Sequence, residues 1–284
     1  MGLKERLQEE EILLALGGYD AISAKMAYQA GAEAVYMSGS SVATSVTGEP
    51  DVGLATMTEM ANRAHQMAGA IDVPLVADAD TGYGNPLNVR RTVTEYERAG
   101  VNAIQIEDQT FPKRCGHFEG KSIVPAEEFV QKIRAATDAR ESEDFLIIAR
   151  TDALAVEGVD EAIDRANRYK EAGADVLFVE SPRDREEMER ITDEAPGLHL
   201  ANMAPGGLTP VLPADELQDI GYDITICPAD AFRAALQTFE DLYSAILEHG
   251  SQEPVLDDMV DWEHRNEITG LDRIGELEER YAQD

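Results

Sequence analysis

Cysteine is nearly missing: Cys115 and Cys227 are the whole complement in 284 residues. Two cysteines build no disulfide framework, so the expected compartment is a reducing cytoplasm. Lysine is scarce too, limited to Lys4, Lys25, Lys113, Lys121, Lys132 and Lys170. With 24 basic residues against 56 acidic ones the formal net charge is −32. Such a surface repels nucleic acid and anionic membrane, so neither is an expected partner. It also suits a chain kept soluble in concentrated salt, where screening removes self-repulsion, and a halophilic origin is expected. No apolar run approaches the roughly 20 residues of a membrane span. The opening MGLKERLQEEE reads as no signal peptide.

What is present is a hydrophobic content of 43%, enough for a sizeable core, arranged as alternating strands and helices. Strands are expected at 12–20, 33–41, 73–84, 104–107, 145–153, 175–182, 198–207 and 223–230. Residues 42–53 read as a loop, and 56–70, 88–99, 125 onward, 159–172 and 231–248 as helices. Ala30-Gly31, Ala99-Gly100, Ala172-Gly173 and Ile220-Gly221 each end a helix and lead into an apolar strand. Glycine there supplies a left-handed helix stop, so the repeated unit is helix, glycine, buried parallel strand. Eight such strands argue for an α/β fold of the (β/α)8 TIM-barrel type over residues 1–250. Residues 251–284 form a helical tail that carries the single tryptophan, Trp262. An open doubly wound sheet is the runner-up, but GGYDAIS after the first strand is not a nucleotide fingerprint.

Active sites of such barrels lie at the C-terminal ends of the strands. Polar residues collect there: Asp20, Tyr36 with Ser38-Gly39-Ser40, Asp78 and Asp80, Glu107 and Asp108, Arg150 and Asp152, Glu180, and Asn202. Asp78 and Asp80 point the same way from an extended segment. With Glu107 they make an all-oxygen set that suits Mg2+ or Mn2+ rather than zinc. Lys113-Arg114-Cys115-Gly116-His117 cannot be a core element, because its charges would be stranded wherever they were buried. As a loop it can collect an anionic substrate, and its cations favour the Cys115 thiolate. A hard ion polarising a 2-hydroxy or 2-oxo acid, beside a thiol able to protonate a carbanion, is what a retro-aldol carbon–carbon cleavage requires. Residues 109–124 hold few large apolar groups. The stretch 113–120 is therefore expected to be displaced or poorly ordered without ligand, with Cys115 too far from Asp78 to act on a metal-bound substrate.

KRCGH at 113–117 resembles the K-[KR]-C-G-H signature of isocitrate and methylisocitrate lyases. YMSG (36–39), PD (50–51), DADTGYG (78–84), IEDQ (106–109), ARTDA (149–153), FVE (178–180) and ANM (201–203) resemble the rest of the isocitrate lyase/phosphoenolpyruvate mutase superfamily pattern. The resemblance implies a Mg2+-dependent TIM-barrel lyase, usually a homotetramer that exchanges its final helices between subunits. By motif, Asp78 and Asp80 would bind the metal, with Asp51 and Glu107 behind them. Cys115 would be the general acid, and Tyr36 a candidate to assist removal of the 2-hydroxyl proton. Ser38, Gly39, Ser40, Gly116, His117, Arg150, Glu180 and Asn202 would contact substrate.

Within the superfamily, branches with phosphonate chemistry lack the cysteine loop, and full-length isocitrate lyases carry insertions for which this chain has no room. Methylisocitrate lyases place arginines where Arg233 (in Pro228–Arg233) and Arg265 (in Arg265-Asn266-Glu267) stand, as a tricarboxylate substrate needs. Against this, Asn202-Met-Ala-Pro-Gly-Gly is closer to the dimethylmalate lyase and oxaloacetate hydrolase branch, and Ser40 replaces a common glycine. Each arginine is a charge-assisted contact, whereas a lost hydroxyl bond is worth only about 0.5–1.5 kcal/mol. The expected activity is therefore cleavage of 2-methylisocitrate or isocitrate, with the smaller diacids as the alternative.

Overall fold

A computed structural model describes residues 2–116 and 120–282. His117 lies outside the described residues. Strands β1 (Leu13–Gly18), β2 (Ala34–Met37), β3 (Leu75–Asp78), β4 (Ala103–Glu107), β5 (Leu146–Thr151), β6 (Val176–Val179), β7 (Leu198–Asn202) and β8 (Ile224–Cys227) pair in parallel in sequence order. β1 pairs with β8 as well as β2, with Leu13 opposite Ile224 and Ala15 opposite Ala34, and this closes the barrel. The helices are α1 (Leu3–Arg6), α2 (Ala21–Gln29), α3 (Gly39–Thr47), α4 (Met57–Ala68), α5 (Pro86–Arg98), α6 (Ala126–Ala139) and α7 (Ala153–Glu157). They continue with α8 (Val159–Glu171), α9 (Arg185–Glu194), α10 (Ala214–Ile220), α11 (Asp230–His249), α12 (Trp262–Thr269) and α13 (Leu271–Tyr281). Among the described residues no helix is long and apolar enough to cross a membrane.

The strand residues divide by parity. Ala34, Val76, Ala103, Ile148, Phe178 and Leu200 fill the barrel interior, while their neighbours Val35, Leu75, Ile104, Ile147 and Leu177 pack under the helices. Burial on both faces explains why the strands read as continuous apolar runs. Leu3 and Leu7 join the interior cluster, so α1 plugs the N-terminal mouth. Arg6 fixes that plug by donating to Glu33 and to the Glu11 carbonyl at 2.9 and 2.8 Å. The opposite mouth, where the strands end, is left to the loops.

The stretch read as a loop after the second strand is in fact the helix α3. Its sequence, GSSVATSVT, is rich in serine, threonine and valine, which are indifferent helix formers. Capping outweighs this: the Ser38 hydroxyl accepts from the Ser41 N–H, and Gly48 ends the helix in the left-handed region at φ 70°. The chain forms two compact units, one up to Phe232 and one from Arg233 onward. None of the described residues of α11 is buried, so most of this helix goes with the C-terminal unit.

Candidate active site

At the C-terminal mouth a small cavity is lined by strand-end residues and by the 113–116 loop. Tyr36, Ser38, Gly39 and Ser40 come from β2 and the start of α3; Asp78, Glu107, Arg150 and Asn202 come from β3, β4, β5 and β7. Asp51 and Lys113-Arg114-Cys115-Gly116 close the ring. The geometry thus brings together most of the residues that the sequence nominates. Asp80 borders the group through an ion pair, and Glu180 does so through Arg150. Arg233 and Arg265 belong to the C-terminal unit, where the Arg265 guanidinium lies 5.0 Å from the centroid of the Trp262 ring.

Glycine at position 39 lets the N-terminus of α3 come up against Asp78, since a Cβ there would run into that carboxylate. The first turn of the nine-residue helix therefore presents its backbone N–H groups at the cavity, a suitable cradle for a substrate carboxylate. Asp80 adopts φ 47° and Tyr83 φ 60°, left-handed values that cost a non-glycine residue energy and recur at functional turns. The Asp80 N–H donates to Asp78 Oδ1 at 2.9 Å, which fixes the two carboxylates relative to each other.

Charge is concentrated here. The Lys113 ammonium is 2.7 Å from both Asp51 Oδ2 and Asp80 Oδ1, all three side chains being nearly sealed from solvent. Arg150 reaches Asp152 at 3.0 Å, Glu180 at 3.1 Å and Glu107 at 3.4 Å, and lies over the Phe178 ring. Burial pushes the carboxyl of Asp78 up to about 6, helped by the Asp80 charge beside it. Burial likewise raises Asp51, against Lys113, and raises Glu107 well above the usual range, against Arg150. Lys113 and Arg150 resist burial because the carboxylates around them hold both cations firmly protonated.

One expectation changes. The 113–116 part of that stretch is not displaced: Lys113 and Gly116 are buried, and Cys115 lines the same cavity as Asp78, while residues 117–119 lie outside the described residues. Its anchors are the Lys113 ion pairs and Gln109, whose side-chain amide both donates to the Arg114 carbonyl and accepts from its N–H at 2.9 and 3.0 Å. Tyr36 donates its hydroxyl proton to Gln105 Oε1 at 2.7 Å, and burial, with Asp78 nearby, raises its pKa well above 10. The bond to Gln105 fixes the direction in which the Tyr36 hydroxyl points. Gln105 escaped notice because it sits mid-strand, where only the fold reveals what it meets.

The donor chemistry fits a hard divalent ion. Asp51 Oδ1 and Glu107 Oε1 are buried carboxylate oxygens without a hydrogen-bond partner, the hard donors that such an ion takes. Among the described residues no three acidic, histidine or cysteine side chains gather closely enough to hold an ion by themselves. Mg2+ commonly takes one or two carboxylates and leaves its other positions to substrate and water.

Residues 3–247 match the family model for phosphoenolpyruvate phosphomutase. The chain is 49% identical over 280 residues to the 2,3-dimethylmalate lyase of Eubacterium barkeri, covering 99% of this chain and 97% of that protein. It is 41% identical over 281 residues to a 2-methylisocitrate lyase of Aeropyrum pernix, covering 99% and 89% respectively. A phosphonopyruvate hydrolase solved with oxalate and Mg2+ superposes with a TM-score of 0.89 at 31% identity, over 99% of this chain and 98% of that one. With these relatives, the chain is a carbon–carbon lyase. It belongs to the phosphoenolpyruvate mutase/isocitrate lyase superfamily.

Proposed function

We propose that the chain cleaves a small 2-hydroxydicarboxylate of the 2,3-dimethylmalate type, with Mg2+ at Asp78 and Asp80. The charge at the site carries this reading. Among the described residues, six carboxylates (Asp51, Asp78, Asp80, Glu107, Asp152, Glu180) stand with four cations (Lys113, Arg114, Lys121, Arg150) in or beside the cavity. The excess of two negative charges is offset by one divalent ion, and a diacid adds less charge to be compensated than a tricarboxylate. Ala204, near the end of β7, offers no hydroxyl to a third carboxylate, and the relative at 49% identity is a dimethylmalate lyase.

When bound, Mg2+ neutralises charge developing on the substrate's C2 oxygen. The α3 N-terminus and Arg150 hold the carboxylates, and Asn202 reaches the far side of the cavity. Loss of the 2-hydroxyl proton to a base breaks the C2–C3 bond. The bonding pair moves to C3, and Cys115 delivers its proton there, releasing a 2-oxo acid and a monocarboxylate.

A second reading, 2-methylisocitrate as substrate, draws on Arg233 and Arg265 and on the relative at 41% identity. Steady-state assays of 2,3-dimethylmalate, oxaloacetate, isocitrate and 2-methylisocitrate, in molar KCl with Mg2+, separate the two. We expect kcat/KM at least tenfold higher for dimethylmalate. A preference for 2-methylisocitrate that Arg265→Met abolishes would overturn the diacid reading.

We also propose that the chain assembles through further copies of itself. Leu236, Phe239, Tyr243 and Leu247 recur at helical spacing on α11 and are all exposed. Separately, the barrel unit offers an apolar groove lined by Leu16, Tyr19, Ile22, Met26 and Cys227. Covering each of these surfaces with a neighbouring subunit would give the swapped homotetramer. Light scattering should then report a tetramer for wild type and smaller species for Phe239→Asp; a wild-type monomer would refute it.

A further inference from the structure

Lys121 is one of only six lysines, and it sits on the returning limb of the loop that carries Cys115. Its side chain is only 4% exposed. The ammonium donates to the Gly116 carbonyl at 2.7 Å and to Asp152 Oδ1 at 2.8 Å. The first contact reaches back across the loop to the residue next to the thiol. The second reaches down to the carboxylate that receives Arg150 at both oxygens, Nε to Oδ2 at 3.0 Å and Nη2 to Oδ1 at 3.1 Å. One carboxylate therefore serves both the loop and the substrate-side guanidinium.

Asp152 is a rigid anchor for that purpose. Its N–H donates to Asp108 Oδ1 at 3.0 Å, and Asp108 Oδ2 accepts from Thr151, Tyr169 and Arg165 at 2.7, 2.8 and 3.2 Å. Burial opposes the Asp152 charge, but Arg150 and Lys121 hold its carboxyl down at about 2. The neck of the loop is closed below by the Gln109–Ile123 bridge and by the Val124 N–H on the Asp108 carbonyl. These neck contacts fix where the loop leaves and rejoins the barrel. From the returning limb, the Lys121 ammonium reaches the Gly116 backbone beside the thiol. Gly116 must sit close, since a Cβ there would lie 2.5 Å from Arg150 Nη2.

We propose that Lys121 is a positioning residue: its ammonium sets the Gly116 carbonyl, and so the Cys115 thiol, in register with Arg150 through their common partner Asp152. This rests on the reading of Cys115 as the proton donor. A misplacement of about 1 Å in a reacting group costs on the order of 100-fold in rate. The residue needs its charge for this role, because a neutral side chain would leave the Gly116 carbonyl and Asp152 Oδ1 without their common donor.

The test uses the full chain in a Cys227→Ala background, so that iodoacetamide reports on Cys115 alone. For Lys121→Met we expect the Cys115 alkylation rate to change at least tenfold, kcat to fall about 100-fold, and KM to stay within threefold. Lys121→Gln, whose uncharged amide ends one bond short of the ammonium and cannot span both acceptors, should behave alike and serves if the methionine variant does not fold. Should wild type turn over no diacid, the proposed function fails, while the alkylation rates still decide the role of Lys121. Alkylation within twofold of wild type, or an altered rate with kcat unchanged, overturns the proposal.

Discussion

Lys113 offers the most quantitative test of the site. Its ammonium is 4% exposed and stands 2.7 Å from each of two buried carboxylates, Asp51 and Asp80. Removing one partner of a buried pair leaves uncompensated charge and costs about 3–5 kcal/mol, far more than the near-zero value of an exposed pair. For Lys113→Met we take that range as the loss. A chain of this size shifts its melting temperature by about 2–4 °C per kcal/mol, so the variant should melt roughly 6–20 °C below wild type. Burial limits screening, so the deficit should persist in molar KCl, where a surface pair would vanish. Mg2+ should narrow it, because the ion can take up the negative charge that the ammonium leaves. Thermal unfolding followed by circular dichroism, in KCl with EDTA or with Mg2+, reads all three outcomes. A loss below 2 °C in EDTA would refute the reasoning, since it would mean that the two carboxylates do not depend on Lys113 for compensation.

Gly116→Ala should fold normally and lose at least 100-fold in kcat, because its Cβ would displace the Arg150 guanidinium; activity within threefold of wild type would show that the loop has slack. His199 is buried, with Nε2 2.6 Å from the Ala195 carbonyl oxygen, and burial lowers its pKa below the ordinary value. The unfolded chain therefore binds this proton more readily. The stabilisation is fully present above about pH 6.5 and is lost as the pH falls through the lowered folded value. Denaturation of wild type and His199→Phe between pH 5 and 8 should show their stability difference changing in that acidic range, and a pH-independent difference would contradict it.

The barrel was legible because the strands are largely apolar on both faces and four of the eight are preceded by a glycine that ends a helix, at Gly31, Gly100, Gly173 and Gly221. The helix α3 was not, since Ser38 and Gly48 act through capping geometry that its composition masks. At the site, Asp78, Glu107, Arg150 and Asn202 could be named from their places at strand ends. What each meets was another matter. Lys113 reads in sequence as a collector of substrate, yet it pairs with carboxylates 62 and 33 positions away. Lys121 and Asp152 join across 31 residues, and Asp108 and Arg165 across 57. Periodicity reports which face a residue occupies; it carries no information on which distant charge completes it.

The central claim is that Cys115 supplies the proton in a carbon–carbon cleavage. Cys115→Ser removes that donor with little change in volume, and general acid catalysis contributes on the order of 100- to 10,000-fold. The direct measurement is kcat for this variant on the best-cleaved diacid, with Mg2+ in molar KCl. A fall of at least 100-fold is predicted, with KM within threefold and the melting temperature unchanged. Retention of more than half the wild-type kcat would contradict it.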